Sequence, residues 1–264
     1  MTDLSELALE ELCHTVRDIL AKVAPLPLAH FRTPLAVDAK ADASPVTIAD
    51  RQTETALRDH LSLHFPEYGI LGEEFGNDRL DAEFVWVVDP IDGTRSFVTG
   101  HPMWGMLMGL LHRGKPILGA VQMPALSETA IGAPGLGAWL GTKPLHVAAA
   151  CPLEHAQICA NELPHLLRAF PDAAARLVAA VPNLRATADC YSYVQLAAGW
   201  VDGVVDCNLQ PYDYLPVLPL VQAAGGIMTD WAGKSLHRGS DGRVVAAANA
   251  TLHADLLALL NDHA

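Results

Sequence analysis

Apolar positions along the chain change their period several times, and each change marks an element. In residues 4–23 they fall at Leu4, Leu7, Leu12, Val16, Ile19, Leu20 and Val23, the spacing of an amphipathic helix that Pro25 and Pro27 should stop. A second helix is predicted from about Thr47 to His64, ended by Pro66. Residues 68–74 read as a short strand ending in two acids, and residues 84–88 as an unbroken apolar strand of the kind covered on both faces. Apolar runs at 103–111 and 117–122 flank Arg113-Gly114-Lys115-Pro116 and predict an antiparallel pair around a turn. Runs at 128–131 and 138–140 continue that sheet. The glycine-rich stretch between them lacks Gly-x-Gly-x-x-Gly spacing and separates strands, so it reads as a hairpin.

Beyond residue 150 strands and helices alternate. Strands are predicted at 157–160, 201–207, 225–230 and 244–248. Helical material is predicted at 162–180, broken at Pro164 and Pro171, at 189–199 with Asp189 near its start, at 211–224 with a kink from Pro216 and Pro219, and at 251–260. Such alternation is an α/β pattern. Residues 144–152 mark a border between an N-terminal half (about 1–145) and a C-terminal half (about 146–264). That border is too short and apolar for a free linker, so a single domain over 1–264 is expected. The segment 25–43 has mixed polarity and no assigned role.

Composition narrows the class. Hydrophobic residues make up 51 % of 264, enough for a large core, and no apolar run reaches the length of a membrane span. The acidic start lacks a signal peptide's basic region, and five cysteines contain no Cys-x-x-Cys pair, so a cytoplasmic protein with reduced thiols is expected. A formal charge of −13 repels nucleic acid and acidic membranes. It would repel a phosphate ester too, unless bound cations reverse the local sign.

The chemistry concentrates in Trp86-Val87-Val88-Asp89-Pro90-Ile91-Asp92-Gly93-Thr94. A buried strand ends here in two carboxylates, stiffened by Pro90 and turned by Gly93. A helix starting after Thr94 would aim free N–H groups at the same point. Carboxylates for a hard cation and amides for an anion suit a metal-dependent phosphate site. Either dipeptide alone, Asp-Pro or Asp-Gly, is read as an ordinary turn. A haloacid-dehalogenase-type phosphatase is excluded, because the position of its nucleophilic aspartate is Pro90. Elsewhere, Gly72-Glu73-Glu74 lies sixteen residues before Asp89, Asp50 sits in a helix's first turn, and Asp213 follows Tyr212. His60 and His64, four apart on a helix, lack the glutamate and third ligand of a zinc site and read as a solvated face.

Taken in order, Pro45-Val46-Thr47-Ile48-Ala49-Asp50, Gly72-Glu73-Glu74, Asp89-Pro90-Ile91-Asp92-Gly93-Thr94 and Tyr212-Asp213 with Ala224-Gly225-Gly226 resemble the signature of the inositol monophosphatase superfamily over nearly the whole chain. The resemblance implies a layered α/β/α/β/α sandwich, as in fructose-1,6-bisphosphatase, and commonly a homodimer. It implies a phosphomonoesterase with up to three Mg²⁺ ions. Glu73, Asp89 and the Ile91 carbonyl would hold the first, and Asp89, Asp92 and Asp213 the second. A third would sit near Glu73. Thr94 with Asp50 would orient the attacking water, Glu73 joining them as a catalytic group, and the Gly93 and Thr94 amides would take the phosphate. Lithium inhibition is also implied.

Arg95-Ser96-Phe97, Gly119-Ala120-Val121-Gln122-Met123-Pro124, Asp189-Cys190-Tyr191-Ser192-Tyr193 and Leu209-Gln210-Pro211-Tyr212-Asp213-Tyr214 are most similar to the histidinol-phosphatase branch. Asp92, Gly93, Thr94, Arg95, Asp189 and Asp206 are then the substrate-binding set, with Asp189 and Asp206 suited to a substrate bearing an ammonium and an imidazole. Asp189 as a helix cap and Asp206 as a solvated strand end are the plain structural alternatives. L-Histidinol phosphate is the leading substrate. Inositol monophosphate, nucleotide 3′-phosphates and sugar bisphosphates are the enzymatic rivals, and a catalytically silent metal- or phosphate-binding regulator is the non-enzymatic one.

Overall fold

The computed structural model describes residues 5–34, 36–39, 45–186 and 189–261. Leu4 of the first predicted helix and residues 35 and 40–43 of the segment 25–43 lie outside the described residues. Helix α1 (Glu6–Val23) is capped by Ser5, whose hydroxyl accepts from the Ala8 amide. Helix α1 stops at Val23, just before Pro25 and Pro27, as expected; a separate helix, α2 (Pro25–His30), then begins at once, because proline's fixed φ suits a helix's first turn. A two-stranded ribbon, β1 (Asp38–Ala39) with β2 (Pro45–Val46), leads into α3 (Ile48–His64). Thr47 and Asp50 close a capping box at the start of α3.

The larger sheet contains β3 (Gly69–Gly72), β4 (Asn77–Asp78), β5 (Phe84–Asp92), β6 (Gly105–His112), β7 (Lys115–Met123), β8 (Glu128–Ala133), β9 (Gly137–Leu140) and β10 (Lys143–Pro144). Its order is β10-β9-β8-β7-β6-β5-β3-β4, antiparallel except for the parallel pair β3 and β5. The short helix α4 (Thr94–Val98) follows β5.

The smaller sheet has the order β12-β11-β13-β15-β14, built from β11 (Gln157–Ala160), β12 (Asn183–Ala186), β13 (Gly203–Asp206), β14 (Ile227–Asp230) and β15 (Val244–Ala247). Strand β12 was absent from the hydropathy reading, because its residues are mostly exposed and it carries no apolar run. The helices are α5 (Leu163–Ala169), α6 (Pro171–Ala180), α7 (Tyr191–Ala197), α8 (Pro211–Tyr214), α9 (Val217–Ala223) and α10 (Ala250–Leu260). Pro164 lies in the first turn of α5 and does not break it; the break falls at Phe170.

Alternation along single strands produces the layers. On β5, Trp86 and Val88 face a core with α1 and α3, while Val85 and Val87 face a second core containing α7 and α9. On β13 and β15, Val204, Val244 and Ala246 join that second core, while Val205, Val245 and Ala247 face a third core with α6 and α10. The result is a five-layer α/β/α/β/α stack in which both sheets are covered on both faces. Helix α9 presses close on the larger sheet, where a Cβ at Gly132 would lie 2.9 Å from the Leu220 Cα.

Candidate metal and phosphate site

The parallel register of β3 and β5 pairs Gly72 with Val88, so the residues that follow this pair, Glu73 and Asp89, emerge side by side. Beyond Asp89 the ladder to β6 slips: Asp89 opposes Leu107, and the next pair is Asp92 with Gly105. Three steps on one strand against two on its neighbour make a bulge at Pro90-Ile91, which suits a residue with no N–H to donate. The expected strand end is thus a continuation to Asp92, and the bulge turns Asp89 and Asp92 toward one space. The Asp89 carboxylate is steadied by the Ile91 amide at 2.9 Å. Asp213 arrives from the first turn of α8, fixed by the Gln210 amide at 2.7 Å.

Carboxylate oxygens of Asp89, Asp92 and Asp213 lie within 4.8 Å of one another. Glu73 is not among these three but lines the same cavity, of about 180 Å³. Burial, and then the charges of Glu73, Asp92 and Asp213, push the Asp89 carboxyl well above the usual range. Burial and the charges of Asp189 and Asp213 do the same to Asp92. Asp213 is pushed up to about 7, chiefly by burial. Acids crowded with no opposite charge between them fit a divalent cation, and the donor set is all oxygen. Neither His60 nor His64 belongs to a metal-binding group among the described residues.

Helix α4 starts at Gly93, whose φ of 82° is left-handed and suits glycine. The Thr94 hydroxyl lies 3.3 Å from Asp50 Oδ1 and 3.2 Å from the Ile91 carbonyl. Asp50 is fully buried, and its other oxygen accepts from the Thr47 amide at 2.8 Å and hydroxyl at 2.6 Å. The capping box of α3 thereby aims one oxygen of Asp50 at Thr94.

The C-terminal half closes the cavity. Asp189 is left-handed at φ 61° and lies outside α7, whose N-cap is Cys190 with no side-chain cap bond. The helix-cap alternative for Asp189 therefore fails. Its Oδ2 accepts from the Ser96 hydroxyl at 2.7 Å, and a Cβ at Gly93 would sit 2.5 Å from that oxygen. The next amide, of Cys190, donates to Asp92 at 2.6 Å. Burial raises the Asp189 carboxyl, against the Ser96 bond. Asp206 is not a solvated strand end: it is 3 % exposed and accepts from Asn161 Nδ2 at 2.8 Å, Tyr193 Oη at 3.0 Å and the Cys207 amide at 2.9 Å. Burial pushes its carboxyl to about 7.

Arg95 reaches Glu162 at 2.9 Å, and both line the cavity. Asn161, Glu162 and Tyr193 were missed by the sequence reading. The signal for the first two is that they directly follow the strand predicted at 157–160; that this strand, β11, runs parallel to β13, whose end carries Asp206, is seen only in the fold. Carboxyl ends of parallel strands are where sites gather in α/β sheets.

Comparisons with known proteins agree with this geometry. The profile of the inositol monophosphatase family matches residues 8–264. The chain is 38 % identical to the chloroplastic bifunctional phosphatase IMPL2 of Arabidopsis thaliana, over 89 % of this chain and 70 % of that protein. It is 36 % identical to a histidinol-phosphatase of Mycobacterium tuberculosis, over 86 % of this chain and 88 % of that protein. An inositol monophosphatase structure from Zymomonas mobilis superposes with a TM-score of 0.87 at 35 % identity, covering 96 % of this chain and 98 % of that one.

Proposed function

The chain belongs to the inositol monophosphatase family and is a phosphoric monoester hydrolase, and from that premise we propose that it hydrolyses L-histidinol phosphate to L-histidinol and phosphate with Mg²⁺. Asp89, Asp92 and Asp213, with Glu73 and the Ile91 carbonyl, are the residues that would hold up to three ions. An all-oxygen set suits Mg²⁺ better than zinc. When bound, the ions supply the positive charge that acidifies water and neutralises the transferring phosphoryl group.

The chain's own groups do the rest. The Thr94 hydroxyl has one proton and two acceptors in reach, Asp50 and the Ile91 carbonyl, which leaves its oxygen lone pairs to orient the attacking water. As the Thr94 oxygen takes a proton from that water, its own proton passes to Asp50 Oδ1, so the threonine stays neutral. The Gly93 and Thr94 amides, at the turn into α4, receive the phosphate.

The observation that carries the substrate assignment is Asp206, a buried carboxylate on the cavity wall, in company with Asp189 and Glu162. An ammonium or imidazolium entering this corner restores the charged form that burial disfavours. Inositol offers only neutral hydroxyls there. Arg95 contributes by holding Glu162 at the rim. The relative from M. tuberculosis supports this reading, and the Z. mobilis structure supports the second, an inositol monophosphatase.

The deciding experiment compares kcat/KM for histidinol phosphate and inositol 1-phosphate at saturating Mg²⁺. Several kcal/mol of differential binding corresponds to a preference of roughly 10²-fold or more for histidinol phosphate. Asp189→Ala should lose that preference while changing hydrolysis of a neutral ester little. Equal kcat/KM in the unmutated protein would leave a Mg²⁺ phosphatase of broad specificity.

A further inference from the structure

Glu54 has no part in the reaction described above, yet its carboxylate is fully buried. It lies four residues after Asp50 on α3, and so on the same helix face. Its Oε2 accepts from the Glu74 amide at 2.7 Å and its Oε1 from the Phe75 amide at 3.2 Å. Arg58, one turn further on, donates Nε to Glu54 Oε1 at 2.8 Å and a terminal nitrogen to the Gly76 carbonyl. The Gly72 amide also reaches the Gly76 carbonyl, at 3.2 Å. The glycine is needed here, since a Cβ at Gly72 would collide with the Glu54 carboxylate and come within 2.5 Å of Arg58. Apart from the Glu54–Arg58 bond itself, these bonds fall on the backbone at Gly72 and at Glu74, Phe75 and Gly76, on either side of Glu73. None falls on the Glu73 side chain, which stays directed to the cavity that Asp89 also lines.

A buried ion pair is a poor device for stability alone, because desolvation of both charges offsets most of their attraction. It is a good device for fixing a backbone in one place, since two amides and a guanidinium converge on one rigid carboxylate. Helix α3 also carries Asp50, which fixes Thr94. One helix thus holds two parts of the site that come from different strand ends.

We infer that Glu54, with Arg58, is a positioning residue for the cation site. It fastens the turn that carries Glu73 to α3, so that Glu73 is set beside Asp89 before any ion arrives, in register with the Asp50–Thr94 pair. The inference rests on the reading of Glu73 as a cation ligand. Outer groups that orient metal ligands typically change metal affinity about 10–100-fold when removed.

The test is Glu54→Gln in the full-length protein, which keeps the side chain's shape but sets an amide against Arg58 or a backbone N–H. Mg²⁺ binding is measured by titration calorimetry, and melting temperature in chelator is measured beside it. The expected result is a loss of Mg²⁺ affinity on the order of 10–100-fold at one site, with kcat at saturating Mg²⁺ largely retained. Wild-type Mg²⁺ affinity together with a lowered melting temperature would overturn the inference and leave Glu54 a loop staple. If Glu54→Gln does not fold, Arg58→Lys gives the same reading: a charge stays beside Glu54, the forked bond to Gly76 is lost, and unchanged Mg²⁺ affinity overturns the proposal. Glu73→Gln separates the two readings. Should it leave Mg²⁺ binding unchanged, Glu73 is no ligand and the premise has failed. Should it weaken binding while Glu54→Gln does not, only the positioning role has failed.

Discussion

Asp206→Asn isolates the electrostatic cost of the substrate corner. Burial moves the Asp206 carboxyl from 3.8 to about 7, and the side chain is 3 % exposed, so solvent screens little of that effect. Between those two values the folded protein keeps a proton that the unfolded chain has released. Stability therefore falls as pH rises through this window, and the loss is complete above about 7. From pH 5 to pH 8 about two units of the window are crossed, at about 1.4 kcal/mol each, which gives about 3 kcal/mol. For a chain of this size each kcal/mol shifts the melting temperature by roughly 2–4 °C, so the expected shift is roughly 6–12 °C. Asparagine cannot titrate. The melting temperature of Asp206→Asn minus that of the wild type should thus rise by that amount between pH 5 and pH 8. The absolute offset is set separately, by placing an amide against Asn161 and Tyr193. His253, whose pKa burial lowers, acts in the opposite direction near its ordinary 6.5, but it is present in both proteins and cancels in the difference. Scanning calorimetry in chelator at four pH values reads the result. Parallel curves for the two proteins would refute the reasoning, because Asp206 would then titrate alike folded and unfolded.

Two further substitutions probe the reaction. Asp89→Asn keeps an oxygen for the Ile91 amide but removes the central charge of the cluster; Mg²⁺-dependent turnover should fall on the order of 10³-fold or more, while the metal-free protein melts higher because a crowded like charge is gone. Wild-type turnover at ordinary Mg²⁺ would dismiss the assigned cluster. Thr94→Ala should lower kcat by about 10²–10⁴-fold with little change in KM, since the hydroxyl acts on the nucleophile; an effect confined to KM in steady-state assays would move Thr94 to substrate binding.

Much of this protein is legible in one dimension. The acid-bearing turns are local: Thr47 and Asp50 form a capping box three residues apart, and Asp213 caps its own short helix through Gln210. Strand and helix positions follow from hydrophobic period, and the ordered motifs identified the family. Errors fell where one residue type has two uses. Pro164, expected to break a helix, sits in the first turn of one, and Pro90 occupies a bulge inside a strand.

What no local pattern contains is the meeting of distant segments. The parallel pairing of β3 with β5 brings Glu73 beside Asp89, and that of β11 with β13 brings Asn161 beside Asp206. The chain at Asp189 and Cys190 crosses from the second half to close on Ser96, Gly93 and Asp92. Glu54 looks in the sequence like one more helix-surface acid, yet it is wholly buried and holds the Glu73 turn. Burial and charge crowding are properties of the assembled layers. Hydrophobic period and capping chemistry act over a few residues and so are written in the sequence. The pKa of an acid depends on desolvation and on charges tens of residues away, and only the folded arrangement sets it.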